Sequence, residues 1–168
     1  MESAPQSRIA TLTLIEPDNL CPTHLIQRDR ETALHDLRKD SFFQPAKDPS
    51  GPYALTLSIE DNRLVFRITN KIGQDLPMLV LSLKPYRSII KDYFLIMRSY
   101  EEALIDGKPS RIEAIDMGRR GLHNEGAGLL MERLSEKIKM DQDTARRLFT
   151  LICVLHTGTP LVWRHEGQ

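Results

Sequence analysis

Cysteine is scarce: the chain of 168 residues has two, Cys21 and Cys153, with no C-x-x-C spacing. That rules out a disulfide scaffold and a paired-thiolate zinc site, and leaves Cys153, inside the apolar run LFTLICVLH, to be read as a buried free thiol. Long apolar runs are missing as well. Nothing approaches the ~20 residues that span a bilayer, and no basic start leads into an apolar h-region. The chain is therefore expected in the cytoplasm and away from membranes. Net charge is absent too, since Lys plus Arg and Asp plus Glu both number 23. Without a global field, nucleic acid is not an expected partner. Repeats and low-complexity tracts are lacking, and the remaining composition is that of an ordinary globular domain.

Most catalytic signatures are missing. There is no G-x-S-x-G elbow for a serine hydrolase and no H-E-x-x-H for zinc. Gly121 and Gly126 have P-loop separation, but Ala127-Gly128 stand where Lys and Ser/Thr would have to reach phosphate and Mg²⁺. Met131 occupies the place of the third glycine of a dinucleotide fingerprint. His24, His35, His156 and His165 form no metal-ligand pattern. No cofactor and no metal site are expected.

What is present is a pattern of strands followed by helices. Ile9, Thr11 and Thr13 alternate with Ala10, Leu12 and Leu14, which predicts a strand. Looser helical spacing follows from about Pro22 to Asp40, and the proline-rich stretch from Phe43 to Pro52 reads as a loop. Period two returns in YALTLSIE and RLVFRITN on either side of Asp61-Asn62. A tight turn there places Ile59 opposite Leu64, Leu57 opposite Phe66 and Leu55 opposite Ile68, every pair apolar. MLVLSL, from Met78 to Leu83, supplies a further antiparallel strand.

Pro85 opens a long helix whose stripe runs through Tyr86, Ile89, Ile90, Tyr93, Met97, Tyr100 and Leu104, and Gly107 and Pro109 end it. Residues 110 to 138 keep helical time despite four glycines. They form either one helix with small residues at a close crossing or two helices joined near Gly121. Asp141 is the expected N-cap of a last helix with Ala145, Leu148, Phe149, Ile152 and Leu155 on its apolar face. The expected class is α+β, an antiparallel meander of about four strands with about four helices packed on it. Residues 1–7 are expected to be disordered, 8–156 to form one domain and 157–168 a tail.

The densest polar segment is DMGRRGLHNEG, residues 116 to 126. On one continuous helix Asp116, Arg120 and His123 share an arc of about 60°, with Arg119 beside it. Arginine as a bidentate clamp and histidine as a donor near neutral pH suit an anion. The candidate ligand-binding set is Asp116, Arg119, Arg120, His123, Asn124 and Glu125. The plainer reading pairs Asp116 with Arg120 as an ordinary i, i+4 support on a solvated or oligomer-facing surface. Arg146 and Arg147 follow Asp141 and Asp143 in a distribution that capping and the helix dipole explain. Tyr93 and Tyr100 read as core rather than as a base-stacking stripe.

Four blocks, NRLVF (62 to 66), KDYFLI (91 to 96), IEAIDMGRRGLHNEGAGLLMERL (112 to 134) and DTARRLFTLICVLH (143 to 156), resemble in order and spacing a bacterial family known as uncharacterised protein family two hundred and sixty-two. The resemblance spans roughly residues 8 to 156 and weakens over the first forty residues and after His156. It implies a single bacterial domain and transfers no activity, cofactor or site residue. Two functions stay in play. The first is a non-enzymatic binding or regulatory domain, able to self-associate through its glycine-rich helix. The second is an enzyme or binding protein for a small phosphate-bearing anion at the Asp116 to Glu125 cluster. A concave pocket lined by those side chains favours the second; a flat apolar patch beside them favours the first.

Overall fold

The structure is a computed structural model that describes residues 6–18, 20 and 22–157. Cys21, residues 1–5 of the expected disordered start and residues 158–168 of the expected tail lie outside the described residues. Ser7 is already tied down, its carbonyl accepting from the Phe43 amide at 2.9 Å.

The elements run β1 (Ile9–Leu14), α1 (His24–Lys39), β2 (Phe43–Pro45), β3 (Tyr53–Glu60), β4 (Arg63–Thr69), β5 (Leu79–Ser82), a single 3-10 turn (Lys84–Tyr86), α2 (Arg87–Asp106), α3 (Pro109–Arg133), β6 (Ile138–Met140) and α4 (Gln142–Leu155). The class is α+β. The hairpin of β3 and β4 has the register read from the alternation, with Leu55 on Ile68, Leu57 on Phe66 and Ile59 on Leu64. Asp61 and Asn62 both take positive φ, 51° and 61°. That is the backbone a two-residue hairpin turn needs, and Asp and Asn tolerate it better than most side chains.

The meander expectation needs correction at its first strand. The main sheet has the order β1-β3-β4-β5, and β1 lies parallel to β3 while the other neighbours are antiparallel. The reason is the crossover: α1 carries the chain back along the sheet, so β3 starts at the same end as β1 and must run the same way. The Phe43–Pro52 stretch is not all loop either. Phe43–Pro45 pairs with Ile138–Met140 in a small antiparallel ladder of its own.

Local chemistry sets the helix ends. Asp141 accepts from the Thr144 amide at 2.9 Å to cap α4, as the sequence indicates, and Thr23, which the sequence pattern did not single out, accepts from the Ile26 amide to cap α1. Gly107, in the left-handed conformation at φ 70°, closes α2. Residues 109–133 form one helix, not two. At Gly126 an added Cβ would collide with the Phe149 ring, so this glycine permits the close packing of α3 on α4.

The long stripe on α2 is shorter than its spacing suggests, because Leu104 is exposed. The last helix is the reverse: besides the expected face, Leu151, Cys153 and Val154 are buried. α4 packs between α1 and α3, and α3 in turn against α2. The helices thus form their own layer, and one hydrophobic cluster runs from Ile9 and Leu57 through Leu37 to Leu155. Cys153 is a buried free thiol whose pKa burial pushes up, as expected of an inert packing cysteine.

Candidate functional site

Two helices carry the same short pattern, Asp-x-x-Arg-Arg, at 116–120 on α3 and at 143–147 on α4. Spacings of three and four residues put the acid and both bases on neighbouring turns of one face. Packing of α3 on α4 brings the two copies to a single cleft of about 360 Å³, whose third wall is α1. Asp116, Arg119, Arg120 and His123 line it from α3; Asp143, Arg146, Arg147 and Thr150 from α4; Asp29, Thr32, Ala33 and Asp36 from α1.

Each arginine stands near one aspartate. Arg119 lies 3.5 Å from Asp29, Arg120 3.5 Å from Asp116, Arg146 3.9 Å from Asp143 and Arg147 3.7 Å from Asp36. A charge-assisted hydrogen bond closes to about 2.7–2.9 Å, so these contacts are loose. The Arg67–Glu60 pair on the sheet, at 2.7 Å, shows what a closed pair looks like in the same molecule. Arg146 Nε is buried and makes no hydrogen bond among the described residues. The cleft therefore holds four positive forks, neutralised by carboxylates that position them without closing on them, although Arg147 also donates from Nη1 to the Asp40 carbonyl oxygen at 3.2 Å.

Arg119 is the best supported of the four. Its partner Asp29 is only 13% exposed at its side chain and also accepts a 2.9 Å hydrogen bond from the hydroxyl of buried Tyr93. The guanidinium carbon of Arg119 lies 5.8 Å from the Tyr100 ring centroid, a cation–π distance. Burial, then the nearby Asp29 charge, holds the Tyr93 hydroxyl protonated far above its ordinary range, so it acts as a donor to Asp29.

His123 is 7% exposed. Its ring packs edge-on to Tyr93 and Phe149, with centroids 5.9 and 5.8 Å away. Nδ1 lies 2.8 Å from the Arg119 carbonyl oxygen, and because a carbonyl only accepts, Nδ1 carries the proton. Nε2 is then the nitrogen left for a ligand. Burial lowers the His123 pKa, the backbone hydrogen bond partly opposes it, and the Arg119 charge lowers it further. The imidazole is neutral at pH 7, and an anion placed beside it would raise its affinity for a proton.

The other two residues of the segment stand apart. Asn124 is exposed, its amide oxygen 3.4 Å from Gln142 Nε2. Glu125 lines a different depression, between α2 and α3, with Asp92 and Ser99. At ~100° per residue Glu125 sits about 180° round the helix from Asp116, so neighbourhood in sequence grouped it wrongly with that face. The residues that sequence reasoning left out are Asp143, Arg146 and Arg147 on α4 and Asp29 and Asp36 on α1. The repeated Asp-x-x-Arg-Arg was the available signal for the α4 set; α1 offered none. Among the described residues no group of three or more His, Cys, Asp or Glu side chains is placed to hold a metal ion, and no helix is long and apolar enough to cross a membrane.

Comparison with known proteins gives the chain relatives but no ligand. It is 53% identical over 131 residues to a UPF0262 protein of Rhizobium meliloti, covering 78% of this chain and 83% of that one. It is 48% identical over 151 residues to a UPF0262 protein of Paramagnetospirillum magneticum, covering 90% and 96%. No solved structure matches. The family model described as "Uncharacterised protein family (UPF0262)" matches residues 6–158, and with these bacterial relatives it shows that the chain belongs to that family, which has no assigned activity.

Proposed function

We propose that this chain is a binding protein for a small phosphate-bearing anion, held in the cleft between α1, α3 and α4. The observation that carries the reading is the set of four arginines on one concave surface, each 3.5–3.9 Å from a single carboxylate and so with donors to spare. A phosphate offers planar pairs of oxygens that match the guanidinium fork, and His123 Nε2 adds a donor once protonated. The carboxylates orient the forks before the ligand arrives, which lowers the ordering cost of binding. Binding is favoured over turnover because Thr150 already donates to the Arg146 carbonyl and each aspartate faces an arginine. That leaves His123, through Nε2, as the one titratable group on the cleft wall without an ion-pair partner among the described residues, and so without the acid and base that catalysis divides between two groups.

The test is thermal unfolding with inorganic phosphate, against chloride at matched ionic strength. Stabilisation rising as the logarithm of phosphate concentration is expected, and the double variant Arg120→Ala/Arg146→Ala should lose it while its ligand-free midpoint stays close to wild type. No shift in the wild-type protein at tens of millimolar phosphate sinks the reading.

Self-association is a second reading with its own observation. Ile105 and Met117 are 86% and 67% exposed, large apolar side chains facing solvent on α2 and α3. Light scattering on Ile105→Glu/Met117→Glu tests it: a wild-type dimer that the variant converts to monomer supports it, and a wild-type monomer at high concentration removes it.

A further inference from the structure

The anion cleft is not closed on its α2 side. A second cavity of about 350 Å³ abuts it, and the two share Asp29, Thr32, Asp116 and Arg119. Its own walls are of different chemistry: Leu25, Met97, Tyr100 and Leu104 supply apolar and aromatic surface. The Arg119–Asp29 pair lines both cavities, and the Arg119 guanidinium lies over the Tyr100 ring of the second. Each cavity is far roomier than a phosphate ion requires and lies near the lower end of the range for small-ligand sites.

We infer that the ligand is a phosphate ester with a planar, ring-bearing body, its phosphate in the arginine cleft and its ring in the adjoining cavity against Tyr100, the chemistry of a nucleoside monophosphate. This rests on the anion-binding reading and extends it. A flat ring suits the boundary because Tyr100 and the Arg119 guanidinium both stack on π-faces. A purely aliphatic body suits it less. Arg28, Asp29, Thr32 and Asp116 stand around the same cavity, and an alkyl chain would strip water from them and return no hydrogen bond. A heteroaromatic ring covers Leu25, Met97 and Leu104 with its face and edge carbons while its ring nitrogens and exocyclic groups meet that polar rim.

The experiment compares three probes by isothermal titration calorimetry: inorganic phosphate, ribose 5-phosphate and adenosine 5′-monophosphate. The base should improve affinity about tenfold over ribose 5-phosphate, the gain that stacking of one base on an aromatic side chain ordinarily gives. Tyr100→Ala should erase that advantage, read as the ratio of the two affinities within the same variant, because the ring also supports Arg119 and any loss of phosphate grip is shared by both sugar phosphates. Leu104→Gln, at a side chain 46% exposed, removes an apolar wall without adding charge and should erase it independently. Equal wild-type affinity for the two sugar phosphates, or an advantage that survives both substitutions, overturns the ring subsite and leaves the anion cleft standing. Failure of all three probes to bind overturns the anion cleft, and the ring subsite falls with it.

Discussion

Gly126 on α3 lies so close to Phe149 on α4 that a Cβ built on it would fall 2.5 Å from the ring's Cδ1 and 2.6 Å from Cδ2 and Cε1. Phe149 is fully buried and packs on His123, so its ring has no space to yield. Gly126→Ala should therefore destabilise by about 1–3 kcal/mol, although alanine favours a helix by up to ~1 kcal/mol. Gly128, two residues on, has nothing within 4 Å of its virtual Cβ. Gly128→Ala should stabilise by about 0.4–1 kcal/mol. Chemical denaturation of both reads the difference, and a stabilising Gly126→Ala would remove the close contact from the fold.

Leu57 and Phe66 face each other across the hairpin, both fully buried. Either residue changed to alanine should cost about 2–5 kcal/mol in a denaturation experiment. Losses below about 0.5 kcal/mol at both positions would mean that the register is shifted by one residue, which turns the other face inward.

The hairpin was legible because its information is local: alternation on both sides and a turn that only a few residue types fill, Asp61 and Asn62 among them. The parallel pairing of β1 with β3 was not. Alternation in Ile9–Leu14 says that a strand exists and is silent about its neighbour, which α1 decides by returning the chain. Phe43–Pro45 and Ile138–Met140 are three residues each, too short for period two to register, and the former hides among prolines. The site divides the same way. Its α3 half could be read by winding Asp116, Arg120 and His123 onto one helix. The α4 half depends on a contact between Gly126 and Phe149 that no single-helix pattern contains, and Asp29 enters only through the packing of α1.

Two histidines should make the protein sensitive to mild acid. Burial lowers the pKa of His123 and of His156 below the ordinary 6.5. As pH falls through about 6.5 the unfolded chain takes up protons that the folded one refuses, so stability declines until the folded-state values are reached. Unfolding free energy measured from pH 7.5 to 5.5 should fall, and His123→Gln should flatten the slope whatever it does to the level. An unchanged slope would mean that His123 protonates as easily folded as unfolded. Anion binding runs the other way: a bound anion favours the imidazolium, so sulfate, whose own charge is constant in this range, should bind more tightly at pH 6 than at pH 8.

Arg119 and Arg120 are adjacent in sequence and should behave differently. Arg120 is 72% exposed and its partner Asp116 38%, so their pair is screened by water and Arg120→Ala should change stability by less than about 0.5 kcal/mol. Arg119 faces Asp29, which is 13% exposed and keeps only the Tyr93 hydroxyl when the guanidinium is gone. Stranding that carboxylate should cost about 1–3 kcal/mol, the penalty for a buried group that loses a partner. Removing the charge as well tests the cause. In the double variant Arg119→Ala/Asp29→Asn the amide still accepts from Tyr93 and leaves no unpaired ion, so stability should recover part of the loss, a coupling that a double-mutant cycle measures directly. Additive losses would show that Arg119 acts through its packing on Tyr100 instead. In that case the guanidinium is held in the cleft by the aromatic ring, and the four-arginine surface survives without the Asp29 anchor.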